Sequence, residues 1–310
     1  MKISVVIPCF NAEATVARAV DSVLANKPHV KQIILVDNNS TDDTQIECER
    51  LVALHDGIVS LSFESTKGAC GARNNGLELV DAEWVQFLDA DDTIFPTKLI
   101  KQAKFGNRNN LDVVVSPYFR VNGNGEKSNS LNPELPTELG LVRATMGITG
   151  SILFRSKALK AIGGWNNEWS SSQEYELMFR LFLDGSKFGV LNERLMNYSV
   201  GVEGSISTGN NRKRRTNSLN LRWAMLDKFI KPEMDPILLQ KLYNGFFLQI
   251  RWTYSENRKL AEEAWKFLRS LGYFPSKDTY IPTVYCWFLW VFGLRFTEEV
   301  RRFFQSIRKL

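Results

Sequence analysis

Over its first ninety residues the chain alternates two hydrophobic patterns. Short, mostly β-branched or apolar runs at residues 3–7, 32–36, 58–63 and 83–88 read as strands buried on both faces. Between them, residues 12–24, 43–54 and 69–80 carry helical signals, with Ser40 or Thr41 placed to cap the second helix. The resulting β-α-β-α-β-α-β order predicts an α/β fold, with a mostly parallel sheet sandwiched by helices. Ligands of such sheets bind outside the carboxyl ends of the strands. Each strand run here closes in polar or special residues, at 8–13, 37–42, 65–68 and 89–92. These four loops are therefore expected to share one rim.

Further along, residues 111–121 and 150–155 read as strands, and 157–162 as a short helix. Residues 174–183 read as an amphipathic helix through Leu177, Met178, Leu181 and Phe182. Residues 122–139 are rich in Asn, Gly, Ser and Pro and read as a long loop. From about Arg212 onward helix signals dominate, with no convincing strand pattern.

Charge divides the chain at the same place. The net charge of +5 combines −5 over residues 1–210 with +10 over residues 211–310, and five of the eight tryptophans follow residue 220. Two regions are expected: an α/β domain at 1–210, and a basic, aromatic-rich helical region at 211–310. The composition, 44% hydrophobic and 24% charged, is that of a folded protein. The four cysteines lie far apart with no Cys-x-x-Cys pair, which argues against a zinc cluster or disulfide framework and suits a reducing cytosol. The N-terminal run is too short and too β-branched for a signal peptide, and no apolar stretch is long enough for a membrane span.

The densest chemistry lies in Phe87-Leu88-Asp89-Ala90-Asp91-Asp92, where three carboxylates arrive within four positions. They repel one another unless neutralised. Either a divalent cation sits there, since hard cations take oxygen ligands, or the acids cap a helix near Pro96. Asp92 is the one expected to cap.

Taken together, the loops resemble the inverting family 2 glycosyltransferases of GT-A fold. The resemblance rests on Ser4-Val5-Val6-Ile7-Pro8-Cys9-Phe10-Asn11 and Ile34-Leu35-Val36-Asp37-Asn38-Asn39-Ser40-Thr41-Asp42. It continues through Gly71-Ala72-Arg73-Asn74-Asn75-Gly76, the acidic run, Gly163-Gly164-Trp165 and Gln173-Glu174-Tyr175-Glu176-Leu177, covering about residues 1–207. It implies a nucleotide-sugar donor, most often UDP-linked, held by Pro8, Phe10, Asp37, Asn38, Arg73, Asp89 and Ala90. Asp89 and Asp91 match the Asp-x-Asp pair, with Asp91 as ligand of Mn2+ or Mg2+. Glu174 matches the general base, and Glu176 is expected to be structural. Arg73 is placed to pair with phosphate or base, or else with Asp89 or Asp37.

Two departures stand out. Asn38 replaces a commoner Asp, and Gly201 stands where some members carry a histidine metal ligand, before Gly204-Ser205-Ile206-Ser207. His29 and His55 look like surface residues. The implied acceptor is a saccharide or lipid-linked saccharide in cell-surface glycan synthesis. A catalytically degenerate donor-binding or scaffold protein is the alternative. The aromatic segment 280–296, with Arg295, Arg301, Arg302, Arg308 and Lys309 nearby, suits either an anionic membrane surface or packing on protein. A cytoplasmic protein, peripheral on the inner face of the membrane, is the expectation. No nucleic-acid motif accompanies the basic run at 212–215.

Overall fold

The computed structural model describes residues 2–201, 211–278 and 281–307. Strands β1 (Ile3–Cys9), β2 (Val30–Asp37), β3 (Val59–Phe63) and β4 (Trp84–Phe87) are mutually parallel, in the order β4-β1-β2-β3. Helices α1 (Val16–Leu24), α2 (Thr44–Leu54) and α3 (Ala69–Glu78) connect them. The side chains of β1, from Ile3 to Ile7, are fully buried, as expected for a strand covered on both faces. Helix α3 lies close to the sheet because Gly76 has no side chain. A Cβ built there would stand 2.3 Å from Val6 Cγ1 and 3.3 Å from Val36 Cγ2.

Beyond β4 come β5 (Thr93–Ile94), α4 (Lys98–Arg108), β6 (Val113–Val115), β7 (Phe119–Val121) and β8 (Lys127–Asn129). Then follow α5 (Thr137–Arg143), β9 (Ile152–Arg155), α6 (Ser156–Ala161), α7 (Gln173–Leu183), β10 (Phe188–Val190) and β11 (Met196–Ser199). Among the described residues the main sheet runs β10-β6-β9-β4-β1-β2-β3, with β9 antiparallel to both β4 and β6. A second, smaller sheet runs β5-β11-β7-β8. The run at 111–121 is thus two strands in different sheets, separated by Ser116, Pro117 and Tyr118. The expected loop at 122–139 contains β8 and the start of α5.

The chain divides into two compact units, 1–134 with 145–208, and 135–144 with 209–310. Helix α5 therefore belongs to the second unit, although it interrupts the first in sequence. The rest of that unit is α8 (Asn211–Phe229), α9 (Pro236–Thr253), α10 (Arg258–Ser270) and α11 (Thr283–Ile307). Its core is aromatic. Phe246 and Phe247 of α9 pack against Trp223, Trp265, Phe267 and Tyr273, with ring centroids 5.2–6.5 Å apart. Glu298 of α11, fully buried, is held by Arg251, Arg301 and the Tyr285 hydroxyl. Helix α11 bends at Gly293, whose φ of 74° lies outside helical space. Among the described residues no helix is long and apolar enough to cross a membrane.

Candidate active site

The carboxyl ends of β1, β2 and β4 deliver the first candidate residues to one rim. At the end of β1, Pro8 is half-buried within the strand, while the Phe10 ring is 51% exposed with Lys67 Nζ 5.6 Å from its centroid. An exposed ring is not core packing, so it is available to a planar ligand. Asn11 adopts a left-handed φ of 48° and ties the first loop to the second, its Oδ1 accepting from the Thr41 N–H at 2.8 Å. Neither Ser40 nor Thr41 caps α2. That helix begins at Thr44, and the Asp42 carboxylate accepts from the Thr44 N–H and hydroxyl.

Asp37 closes β2. It is 6% exposed, and its Oδ1 has no hydrogen-bond partner among the described residues. A buried carboxylate oxygen without a partner carries a desolvation cost that an added hydrogen-bond donor would relieve. Asn38 has a different task. Its Nδ2 donates to the carbonyls of Glu64 (2.9 Å) and Thr66 (2.8 Å), and its Oδ1 accepts from the Gly68 N–H (2.8 Å). The amide shapes the 64–68 loop, with both Nδ2 hydrogens and one Oδ1 lone pair in use.

Arg73, on α3, is only 4% exposed. Its guanidinium donates to Asp89 Oδ1 and to Gln173 Oε1, both at 2.8 Å, and lies 4.6 Å from the Trp165 ring centroid. One side chain thus joins the acidic run after β4 to the residue preceding Glu174. Glu174 itself sits half-buried in the first turn of α7, where a negative charge is favoured by the helix dipole. Glu176, two residues on, is committed to Arg180 at 2.7 and 2.9 Å and is structural.

The three acids after β4 are not equivalent. Asp89 is partly exposed and paired with Arg73. Ala90, between the acids, is buried. The backbone carbonyl of Asp91 accepts from Arg18 Nη2 at 2.8 Å and from the Ser199 hydroxyl at 2.6 Å. Its carboxyl is pushed up to about 6, first by burial and then by the neighbouring charge of Asp89. Asp92 is fully buried; its Oδ1 accepts from the Ser199 N–H at 2.8 Å, while Oδ2 has no partner among the described residues. Burial, Asp89 and Asp91 raise its carboxyl well above the usual range. Asp92 caps no helix, because α4 begins at Lys98 behind Thr97. Phe95 precedes a proline and is thereby biased away from helical backbone, so the helix starts too late for Asp92 to reach it.

A divalent cation at this rim would meet these carboxyls. Among the described residues no group of three His, Cys, Asp or Glu side chains forms a ready-made metal cluster. Gly201 contributes only backbone, and His29 and His55 lie half-buried on early elements rather than on the surface. What is present is a desolvated carboxyl, Asp91, raised by a second carboxylate. That is the electrostatic condition a dication relieves, with oxygen donors of the type Mg2+ and Mn2+ prefer. The remaining ligands would come from diphosphate and water. The Gly204–Ser207 motif lies outside the described residues.

Sequence reasoning missed Arg18, Lys67, Gln173 and Ser199. Gln173 and Ser199 adjoin motif positions, but Arg18 and Lys67 have no signature beyond their charge.

A mostly parallel sheet whose strand ends gather a buried acid, an exposed aromatic ring and a desolvated acid cluster on one rim defines an α/β protein with its candidate site at the carboxyl ends of the strands. The family model for glycosyl transferase family 2 matches residues 4–163, more than half of the chain, and the chain belongs to that family. It is 30% identical over 123 residues to an Escherichia coli UDP-Glc:alpha-D-GlcNAc-diphosphoundecaprenol beta-1,3-glucosyltransferase, covering 39% of this chain and 47% of that enzyme. The chain thus spans about half the length of that relative, and about a quarter of two further curated ones. Among solved structures, S. aureus TarS 1–349 in complex with UDP-GlcNAc superposes with a TM-score of 0.63 at 20% identity, covering 86% of this chain and 79% of that one. A mannosyltransferase from Pyrobaculum calidifontis in complex with GDP-Man and Mn2+ gives a TM-score of 0.58 at 15% identity, covering 87% and 79%. These likenesses establish the GT-A fold.

Proposed function

We propose that the chain transfers a sugar, with inversion, from a UDP-linked donor to a saccharide or lipid-linked saccharide in cell-surface glycan assembly. The carrying observation is Arg73. By gripping Asp89 and Gln173 together it sets the donor-binding acids and the turn bearing Glu174 on one rim. Phe10 stacks on the base, Asp37 accepts a hydrogen bond from base or ribose, and Asp89 contacts the ribose, with Pro8 and Ala90 shaping the backbone between them. Asp91 holds Mn2+ or Mg2+, which when bound neutralises charge developing on the departing diphosphate. Glu174 takes the proton of the acceptor hydroxyl as that oxygen bonds to the anomeric carbon from the face opposite the leaving group. The carbon–oxygen bond to the diphosphate breaks, and the nucleoside diphosphate leaves with the electron pair.

UDP is favoured by the relative acting on UDP-Glc and by the neighbour in complex with UDP-GlcNAc, while GDP-Man in a second neighbour supplies the competing outcome. Thermal-shift titration with UDP, GDP and dTDP, with Mn2+ or EDTA, tests the reading. A stabilisation by UDP that requires metal is expected, and a preference for GDP or dTDP overturns the donor assignment. Donor hydrolysis abolished by EDTA distinguishes an enzyme from a degenerate donor-binding scaffold.

The same reading places the protein on the cytoplasmic face of an anionic membrane through α11. The buried face of that helix carries Tyr285, Leu289, Leu294 and Glu298, yet its exposed face is aromatic rather than polar. Trp290 is 71% exposed, Trp287 55% and Phe303 63%, with Arg295 and Arg302 also exposed. Trp and Phe beside Arg suit a lipid–water interface. Co-sedimentation with vesicles containing phosphatidylglycerol, lost in a Trp287→Ala/Trp290→Ala variant, is expected. Equal sedimentation of the two proteins refutes the placement.

A further inference from the structure

The small sheet carries a feature that the donor site does not use. Arg120, in the middle of β7, pairs with Tyr198 of β11 on one side and Ser128 of β8 on the other. Paired residues share a face, so Arg120, Tyr198 and Ser128 line one surface, and Tyr118, just before β7 and half-buried like Tyr198, adjoins it. The Tyr118 and Tyr198 rings meet edge to face at 5.9 Å. Tyr118 lies within electrostatic reach of Glu174, Asp92 and Arg120, so this surface adjoins the candidate base and the acidic run. Burial pushes its phenol up to about 12, and it stays neutral at any working pH. At the far end the surface opens into a cavity of about 600 Å3 lined by Arg120, Asn122, Glu126, Lys127, Ser128 and Val200.

Among the described residues the Arg120 guanidinium forms no ion pair and no hydrogen bond. Two other charged side chains line the cavity, each with its own contacts. Glu126 accepts from Asn122 Nδ2 at 2.8 Å, and Lys127 Nζ lies over the rings of Phe95 and Phe119, at 5.8 and 5.7 Å, on the opposite face. An arginine with its full donor fork free, at the end of an aromatic surface leading to the base, suits an oxyanion held bidentately.

We propose that this surface is the acceptor subsite, with Tyr118 and Tyr198 beneath the acceptor sugar and Arg120 binding a phosphate that the acceptor carries. The inference rests on the glycosyltransferase reading above. It agrees with the phosphate-bearing acceptor named for the E. coli relative. The phosphate could belong to a lipid diphosphate carrier or to a phosphate-linked polymer, and Arg120 would meet the same chemistry in either.

The test uses the full chain saturated with UDP and Mg2+, so that the donor site is filled. Binding of UDP by the wild type, measured beforehand, examines the donor reading separately. Inorganic phosphate, glycerol 3-phosphate and farnesyl diphosphate are then titrated and followed by 31P line broadening. Saturable binding by the wild type, weakened at least tenfold in Arg120→Gln and unchanged in Arg108→Gln, an exposed arginine on α4, is expected. Tighter binding of farnesyl diphosphate assigns the phosphate to a lipid carrier, and tighter binding of glycerol phosphate to a polymer. Absence of binding by the wild type, or equal loss in the two variants, overturns the proposal.

Discussion

Replacing Asp91 by asparagine should make the protein more stable while removing its activity. The wild-type carboxyl is raised from 3.8 to about 6 because it is largely withdrawn from water beside Asp89. Each pKa unit corresponds to about 1.4 kcal/mol, so the ionised form burdens the folded state by up to ~3 kcal/mol. The sign follows from the direction of the shift. Below about pH 4 the group is protonated in both states and costs nothing. Between about pH 4 and 6 the unfolded chain ionises first, so the penalty grows, and above about pH 6 it is constant. Asparagine keeps the shape and never ionises. In EDTA-containing buffer, denaturant unfolding at pH 7.5 should show Asp91→Asn more stable by about 1–3 kcal/mol, a gain that vanishes near pH 4. Mn2+ should stabilise the wild type and leave the variant unmoved. A variant that is equally or less stable at pH 7.5, or a difference independent of pH, refutes the reasoning.

Other substitutions separate chemistry from architecture. Glu174→Gln should lower transfer by about 10²–10⁴-fold with UDP affinity unchanged, as expected on removing a general base, and near-normal turnover removes the assignment. Asn38→Asp should destabilise by about 1–3 kcal/mol, since a carboxylate cannot donate to the Glu64 and Thr66 carbonyls; an unchanged melting temperature contradicts the loop-shaping role. Gly76→Ala should cost about 1–3 kcal/mol in denaturant unfolding because its Cβ meets Val6 at 2.3 Å, and a neutral substitution shows that α3 can shift.

The parallel half of the main sheet was legible because β1 to β4 are continuous apolar runs closed by polar loops, which places their carboxyl ends together. Strands β8, β10 and β11 were not, because each has only three or four residues, too few to show a period. Their pairing depends on distant segments, such as β7 with β11, which composition does not reveal. Helix α5 has ordinary helical residues but joins the second unit from within the first, an arrangement no local pattern encodes. The candidate site divides the same way. The acids and Arg73 stood out by motif, but the use of each acid was set by partners from elsewhere. Ser199 takes both the Asp91 carbonyl and the Asp92 carboxylate, and Asn38 turns inward to a loop thirty residues on.

The Arg73 bridge also bears on how such a protein changes its substrate. With Asp89 and Gln173 clasped by one buried guanidinium, the spacing between the acidic run and the first turn of α7 is fixed by the scaffold, and with it, on the proposed function, the spacing between donor and proton acceptor. The acceptor surface proposed on β7, β8 and β11 belongs to a separate sheet that contributes nothing to that clasp. Substitutions along the hairpin can therefore redirect which hydroxyl is presented without retuning the bond-breaking geometry. Substitutions at Arg73 cannot be absorbed in that way. Variation is thus channelled toward new acceptors and away from new chemistry.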